Sequence, residues 1–226
     1  MYIKRTVELE ADIEKSEGHQ FEVGDVIGFT LTDGEEVEAM AMKVEEDGVI
    51  FALVDCLADE MPMQRNGKDI MRDYLNKDVY IRFPEEIRNM MKPFERGDML
   101  RLMTQKEVFG KNYYDADEED ANVTQFEPMK DRRNRIAYLG KGGATDDDWQ
   151  WWWLSNQTWL RDVVGAAYFA LVSYAGHCNT NTASNSNGVR PAFKISLIYY
   201  LRPSLPDKER RKKHGRQIQS QSSRQE

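Results

Sequence analysis

Hydrophobic and polar positions alternate along the first part of the chain, and the period then lengthens to that of a helix. From Asp25 to Leu57, DVIGFTLTDGEEVEAMAMKVEEDGVIFALVDCL holds three β-rich runs separated by Asp33-Gly34 and Asp47-Gly48. Two-residue hairpin turns favour such dipeptides because they accept positive φ, so the pattern predicts a three-stranded meander. In GKDIMRDYLNKDVY, Ile70 and Tyr74, and Met71 and Leu75, stand four apart, which predicts a helix. A second helix is predicted over PEEIRNMM, with Pro84 in its first turn and acids beside the positive helix end. Thr104 and Glu107 make a capping-box pattern for a short third helix that Gly110 would end. Gly110 to Asp148 is polar and turn-rich and reads as a long loop. Strand patterns then return in WQWWWLS, GAAYFALVS and GVRPAFKISLIYY. Alternation sends Trp151 and Trp153 to one face and Trp152 to the other, and Pro191 suggests an edge or a bulge. Strands at both ends with helices between them predict an α+β domain whose ends meet in one sheet.

Outside that region the patterns fade. Residues 1–20 are mostly charged and suit an arm or edge strand, residues 21–201 carry the folded domain, and residues 202–226 form a polar tail expected to be disordered. The tail's basic cluster, Lys208 to Arg216, suits a solvated segment, with contact to nucleic acid or an acidic partner as the alternative. The net charge of -8 argues against nucleic acid or an anionic membrane as partner of the folded domain. The N-terminal stretch has no apolar signal segment and no window is apolar enough to span a bilayer, so the expected location is the cytoplasm or a virion.

Candidate chemistry is sparse. Cys56 and Cys178 lie far apart and form no CxxC pair, the acidic clusters at Asp115 to Asp120 and Asp146 to Asp148 lack a calcium-loop pattern, and GKGG at 140–143 lacks the spacing of a phosphate loop. His177 and Cys178 are adjacent, and neighbours on a strand point opposite ways, which disfavours a catalytic pair. The sequence therefore calls for no enzyme, metal or cofactor. Arg190 is expected to hold a strand end through a carboxylate or backbone carbonyls, and the Trp cluster is expected to be core. What stands out is NTNTASNSNGVRPAF, Asn179 to Phe193, a small polar run that leads into a buried strand.

WWWLSNQ, AAYFALV and NSNGVRPAF resemble the closing strands of the DUF6273 family, and FEVGDVIGF, VDCLADEMPM, MRDYLNKDVYIRFPEEIRNMM and LMTQKEVFG resemble its first half. The resemblance spans about Phe21 to Ile198. It implies a C-type-lectin-like fold, related to the variable proteins of diversity-generating retroelements in phages and gut bacteria, which display ligand-binding surfaces. In those retroelements mutagenesis acts at adenines, typically in Asn codons, so that diversified positions exclude Met, Trp, Gln, Lys and Glu. Leu160 to Phe193 contains none of the five, although they make up about a quarter of the chain. Ordinary strand-and-loop composition is the competing account.

Asn and Ser adapt to many partners and Tyr offers flat contact area at low entropic cost. A long turn between the Ala-rich strand and the closing strand is expected to present Tyr174, His177, Asn179, Asn181, Ser184, Asn185 and Asn187 together. Asn156, Trp159, Arg161, Asp162 and Tyr168 would extend the patch, Trp159 and Arg161 as anchors. The functional expectation is a non-enzymatic recognition protein, phage- or prophage-encoded, whose partner is a protein or glycan on a host surface. The alternative is a structural or assembly subunit, in a virion or inside the cell, that uses the same fold to pack against other virion proteins or copies of itself.

Overall fold

The structure of the chain is a computed structural model that describes residues 6–8, 21–114, 123–140, 149–161 and 167–196. The arm and the tail otherwise lie outside the described residues, as do both acidic clusters. Strand β1 (Thr6–Glu8) adds in parallel to β2 (Val26–Thr30), which continues into the predicted antiparallel meander with β3 (Glu36–Glu45) and β4 (Gly48–Leu53). The two Asp-Gly turns have different causes. Gly34 has φ +92°, which suits glycine, whereas Gly48 is already strand and pairs with Glu45, so that Glu46 and Asp47 make the turn. A Cβ on Gly48 would meet the carbonyl oxygen of Ile195 at 2.5 Å, so close strand approach requires the glycine there.

Short strands β5 (Glu60–Met61), β6 (Gln64–Arg65) and β7 (Lys68–Asp69) lead to the helices. Helix α1 (Met71–Asp73) widens into a π-helical stretch, Tyr74–Val79, and ends in the 3-10 turn Tyr80–Arg82. Helix α2 (Glu85–Met90) starts behind Pro84, which is its N-cap where the sequence pattern placed it in the first turn. After β8 (Met91–Lys92) and β9 (Leu100–Leu102) comes α3 (Gln105–Phe109), with the predicted capping box between Thr104 and Glu107 and Gly110 in the left-handed region. The long loop is partly a structured cover: 3-10 turns at Glu127–Lys130 and Arg132–Arg135 and strand β10 (Ala137–Tyr138) bury Phe126, Met129 and Ala137. Its polarity hid these few apolar anchors.

The remaining strands are β11 (Trp149–Gln150), β12 (Trp152–Arg161), β13 (Ala167–Val172), β14 (Cys178–Thr182), β15 (Asn187–Gly188) and β16 (Pro191–Ser196). β16 pairs with β4 on one side and with β8 and β9 on the other, so both ends of the domain share a seven-stranded sheet. Pro191 is therefore on a central strand, tolerated because it is the first residue of that strand. A second sheet runs β14-β13-β12-β15-β5. The observed class is mixed, mostly strands in antiparallel sheets with few short helices.

Alternation divides the apolar residues between two cores. Val49, Phe51 and Leu53 of β4 join Trp153, Phe169 and Leu171, the helix residues Met71, Leu75 and Val79, and Phe83 just past the 3-10 turn. Ile50 and Ala52 join Trp152, Leu154, Ala170 and Val172 under Met103, Val108, Phe126 and Met129. Trp152 and Trp153 are fully buried, one in each core, and burying a ring of this size contributes roughly 4–6 kcal/mol before entropy is counted. Each indole N–H finds a carbonyl, Trp152 on Arg135 at 2.9 Å and Trp153 on Met61 at 2.7 Å. The second sheet thus sits on a rigid base. Among the described residues no helix is long and apolar enough to cross a membrane.

Candidate recognition surface

The polar run is a strand between two turns, where the sequence pattern suggested one long turn. β14 pairs with β13 from Cys178 to Thr182 and forms one edge of the second sheet, and the turn at Ala183–Ser186 then carries the chain to β15. Small polar residues read as loop, but in a half-exposed edge strand Asn and Thr serve as well. Register separates the run into two faces. Asn179 and Asn181 stand opposite Leu171 and Phe169 of the first core, whereas Cys178 and Thr180 stand opposite Val172 and Ala170 of the second.

The outward edge of β14 is capped by its own side chains. Ala183 N–H donates inward to Ala167 at 2.8 Å, and alternation turns the amides of Thr180 and Thr182 outward. Thr180 N–H donates to Asn179 Oδ1 at 2.8 Å, and Thr182 N–H to Asn181 Oδ1 at 2.9 Å. Asn185 Nδ2 also donates to Asn181 Oδ1, at 2.7 Å. The Asn-Thr-Asn-Thr repeat thus satisfies amides that an edge strand would otherwise offer to another chain. Asn187 departs from expectation: it is 6 % exposed, held beneath the turn with Asn181 Nδ2 at 3.5 Å. The bonds that close the turn bury it.

Tyr174 is 50 % exposed and leans on half-buried Trp151, with ring centroids 6.0 Å apart. The turn from Ser173 to His177 closes on itself through Ser173 N–H to the His177 carbonyl, 2.8 Å. Gly176 lets that turn rest on the Arg132–Arg135 turn, since a Cβ there would lie 2.9 Å from Arg132 Cγ. His177 is exposed, with Nε2 3.3 Å from Arg132 Nη1. Ser184 and Asn185 are exposed in the second turn, and Tyr168 is half-buried on β13. Asn156, Trp159 and Arg161 lie along β12, and Asp162 lies outside the described residues. The structure therefore brings Tyr174, His177, Asn179, Asn181, Ser184 and Asn185 to the β14 strand and its turns, on more than one face.

The buried and half-buried polar groups act as scaffold. Burial pushes the Cys178 thiol up to about 12, and its Sγ lies 3.6 Å from Gln105 Oε1, so the thiol stays protonated at neutral pH. Burial raises the Cys56 thiol as well, and both cysteines are free. Arg190 fulfils its structural expectation: 1 % exposed, it donates through Nε to the Leu53 carbonyl and through Nη1 to the Asn134 carbonyl at 2.9 Å, and its guanidinium lies 4.9 Å from the Trp152 ring centroid. Among the described residues no three His, Cys, Asp or Glu side chains gather as a metal would require.

Sequence reasoning missed Arg132 and the second role of Trp151, which packs against the first core as expected and also supports Tyr174. Trp151 was assigned to the Trp cluster of the core, and Arg132 lay in a presumed loop, although RRNR between acidic stretches is a local charge reversal visible in the sequence. Residues 97–197 match the family model described as a domain of unknown function, DUF6273, which supports the family resemblance over that segment. No curated protein and no solved structure matches the chain.

Proposed function

We propose that the chain is a non-enzymatic recognition protein with a C-type-lectin-like domain, related to the variable proteins of diversity-generating retroelements and carried by a phage or prophage. One observation carries this reading. The segment free of Met, Trp, Gln, Lys and Glu, Leu160 to Phe193, includes the edge strand β14 and both its turns, whose exposed positions are Tyr174, His177, Ser184, Asn185 and Ser186. The residues beneath them, Phe169 to Val172 and Ala183, are buried, so the tips can vary while the base stays fixed. A rigid base under an adaptable polar and aromatic surface resembles the division of labour in an antibody paratope. The protonated Cys178 thiol supports recognition over thiol catalysis at this place.

The ligand in this reading is a protein or glycan on the surface of a bacterial host. The test is binding of the labelled full chain to intact cells of the strain that carries the gene and of its relatives. Saturable binding is expected, weakened about tenfold or more by Tyr174→Ala and unchanged by Ile81→Ser on the exposed helical turn. Binding that ignores Tyr174, or none on any cell, would overturn the reading.

A further inference from the structure

An island of positive charge and aromatic surface stands beside β14 on a protein whose net charge is -8. Four cationic or titratable side chains stand along it, Arg132 with His177, Arg135 over Phe109 and Lys111 over Tyr113. Arg132 Nη1 reaches His177 Nε2, and the Arg135 guanidinium carbon lies 5.2 Å from the Phe109 ring centroid. Phe109 meets Tyr113 edge-on at 5.7 Å, and Lys111 Nζ lies 4.4 Å from the Tyr113 centroid. Tyr113 is 50 % exposed.

The island is built, because its backbone is held from below. Trp152 and Arg190, both fully buried, donate to the carbonyls of Arg135 and Asn134, and Asn134 Nδ2 donates to the Pro128 carbonyl at 2.8 Å. Buried Gln105 ties the other side, its Oε1 accepting from Tyr113 N–H at 2.9 Å. Among the described residues the acid beside these arginines in the chain is committed: Asp131 caps the turn through Arg133 N–H and pairs with Arg133 at 2.6 Å. Among the described residues Arg132, Arg135 and Lys111 form no ion pair, and the buried Nε of half-buried Arg135 has no hydrogen-bond acceptor. Burial pulls the Arg135 guanidinium below its ordinary range, and the Arg132 charge pulls the same way. A guanidinium partly removed from water beside a second one is costly unless an anion completes it.

We propose that Arg132, Arg135, Lys111 and His177 form a binding site for one oxyanion, a phosphate or a carboxylate, carried on a flat ring that rests against Tyr113. Arginine supplies a planar fork of donors that matches an oxyanion, and the exposed aromatic supplies the ring contact. The net negative charge of the chain selects against long polyanions and for a ligand with a single such group. The site shares His177 with the recognition face but is tested separately: a failure of cell binding leaves it intact, and its own failure leaves that reading intact.

The test is titration of the full chain with phenyl phosphate and benzoate, followed by the arginine Nε–H signals in NMR, with inorganic phosphate and phenyl glucoside as controls. At least one ring-borne anion is expected to bind about tenfold more tightly than either control and to shift the Arg135 signal. Arg132→Gln and Lys111→Gln, both at exposed positions and safe for folding, are expected to weaken it severalfold each, and Lys212→Gln/Lys213→Gln in the tail to leave it unchanged. Whichever of the two anions binds more tightly names the group. Equal binding of the neutral glucoside, loss through the tail variant alone, or no binding at about 10 mM would overturn the proposal.

Discussion

Replacing Gly48 by alanine tests whether close strand approach, rather than turn geometry, explains that residue. An alanine Cβ would sit 2.5 Å from the Ile195 carbonyl oxygen, and ordinary carbon–oxygen contacts are about 3.3 Å or longer, so β16 or β4 must yield by about 0.8 Å. The obstacle is backbone in a central strand, so no side chain can swing aside. Overpacking of this kind costs about 1–3 kcal/mol, and disturbing the Ser196–Gly48 end of the ladder adds about 1 kcal/mol. Reduced freedom of the unfolded chain returns about 0.4–1 kcal/mol, because the native φ at Gly48 is not positive. The net expectation is a loss of about 1–3 kcal/mol, read as a lower urea midpoint at unchanged slope. Gly34 provides the contrast. Nothing lies within 4 Å of its Cβ position and its φ is +92°, so Gly34→Asn should be tolerated better than Gly34→Val, while Gly48→Asn should cost at least as much as Gly48→Ala. Full stability of Gly48→Ala would refute the close-approach argument.

Three further outcomes follow from the contacts. Asn179→Val/Asn181→Val uncaps the Thr180 and Thr182 amides, so light scattering should show concentration-dependent association beyond wild type, and an unchanged mass would contradict the edge-capping argument. Lys194 bonds Glu45 at 2.8 Å and Asp47 at 2.6 Å; burial opposes ionisation of Glu45, but the lysine bonds prevail and both carboxyls lie below their ordinary 4.5 and 3.8. That stabilisation is present above the unfolded values and is lost as pH falls through the lowered folded ones. Lys194→Met should therefore cost about 1 kcal/mol at neutral pH and flatten the acid dependence below about pH 4, against an unchanged acid profile if the network is idle. Alkylation of Cys178 at pH 8 should run at least about tenfold slower than in the unfolded chain, since partial burial pushes its thiol up to about 12, and equal rates would contradict that shift.

The strongly periodic parts of the chain were legible in its sequence. The meander, the helices, the Thr104–Glu107 capping box, the opposed Trp152 and Trp153 and the shared sheet of the two chain ends all follow from spacing and turn chemistry. β14 was not legible, because an Asn-Thr edge strand lacks the apolar alternation that marks a strand, and its partners are supplied by long-range pairing. Nor was the cover from Phe126 to Ala137, whose three apolar anchors are diluted among charges. Of the candidate surface, Ser184 could be placed from the run itself and Tyr174 and His177 from the turn residues just before it. The burial of Asn187 and the packing of Arg132 beneath Gly176 depend on which turns meet in space, and local pattern does not encode that.

The central claim is that a variable recognition face is mounted on an invariant base, and sequencing the locus and many population copies of the segment coding for Leu160 to Phe193 tests it most directly. A nearby template repeat is predicted, with differences confined to its adenines and falling on Tyr174, His177, Ser184, Asn185 and Ser186, while Phe169 to Val172, Ala183 and Arg190 stay constant. An invariant segment without such a repeat, or variation spread evenly over buried and exposed positions, would contradict it.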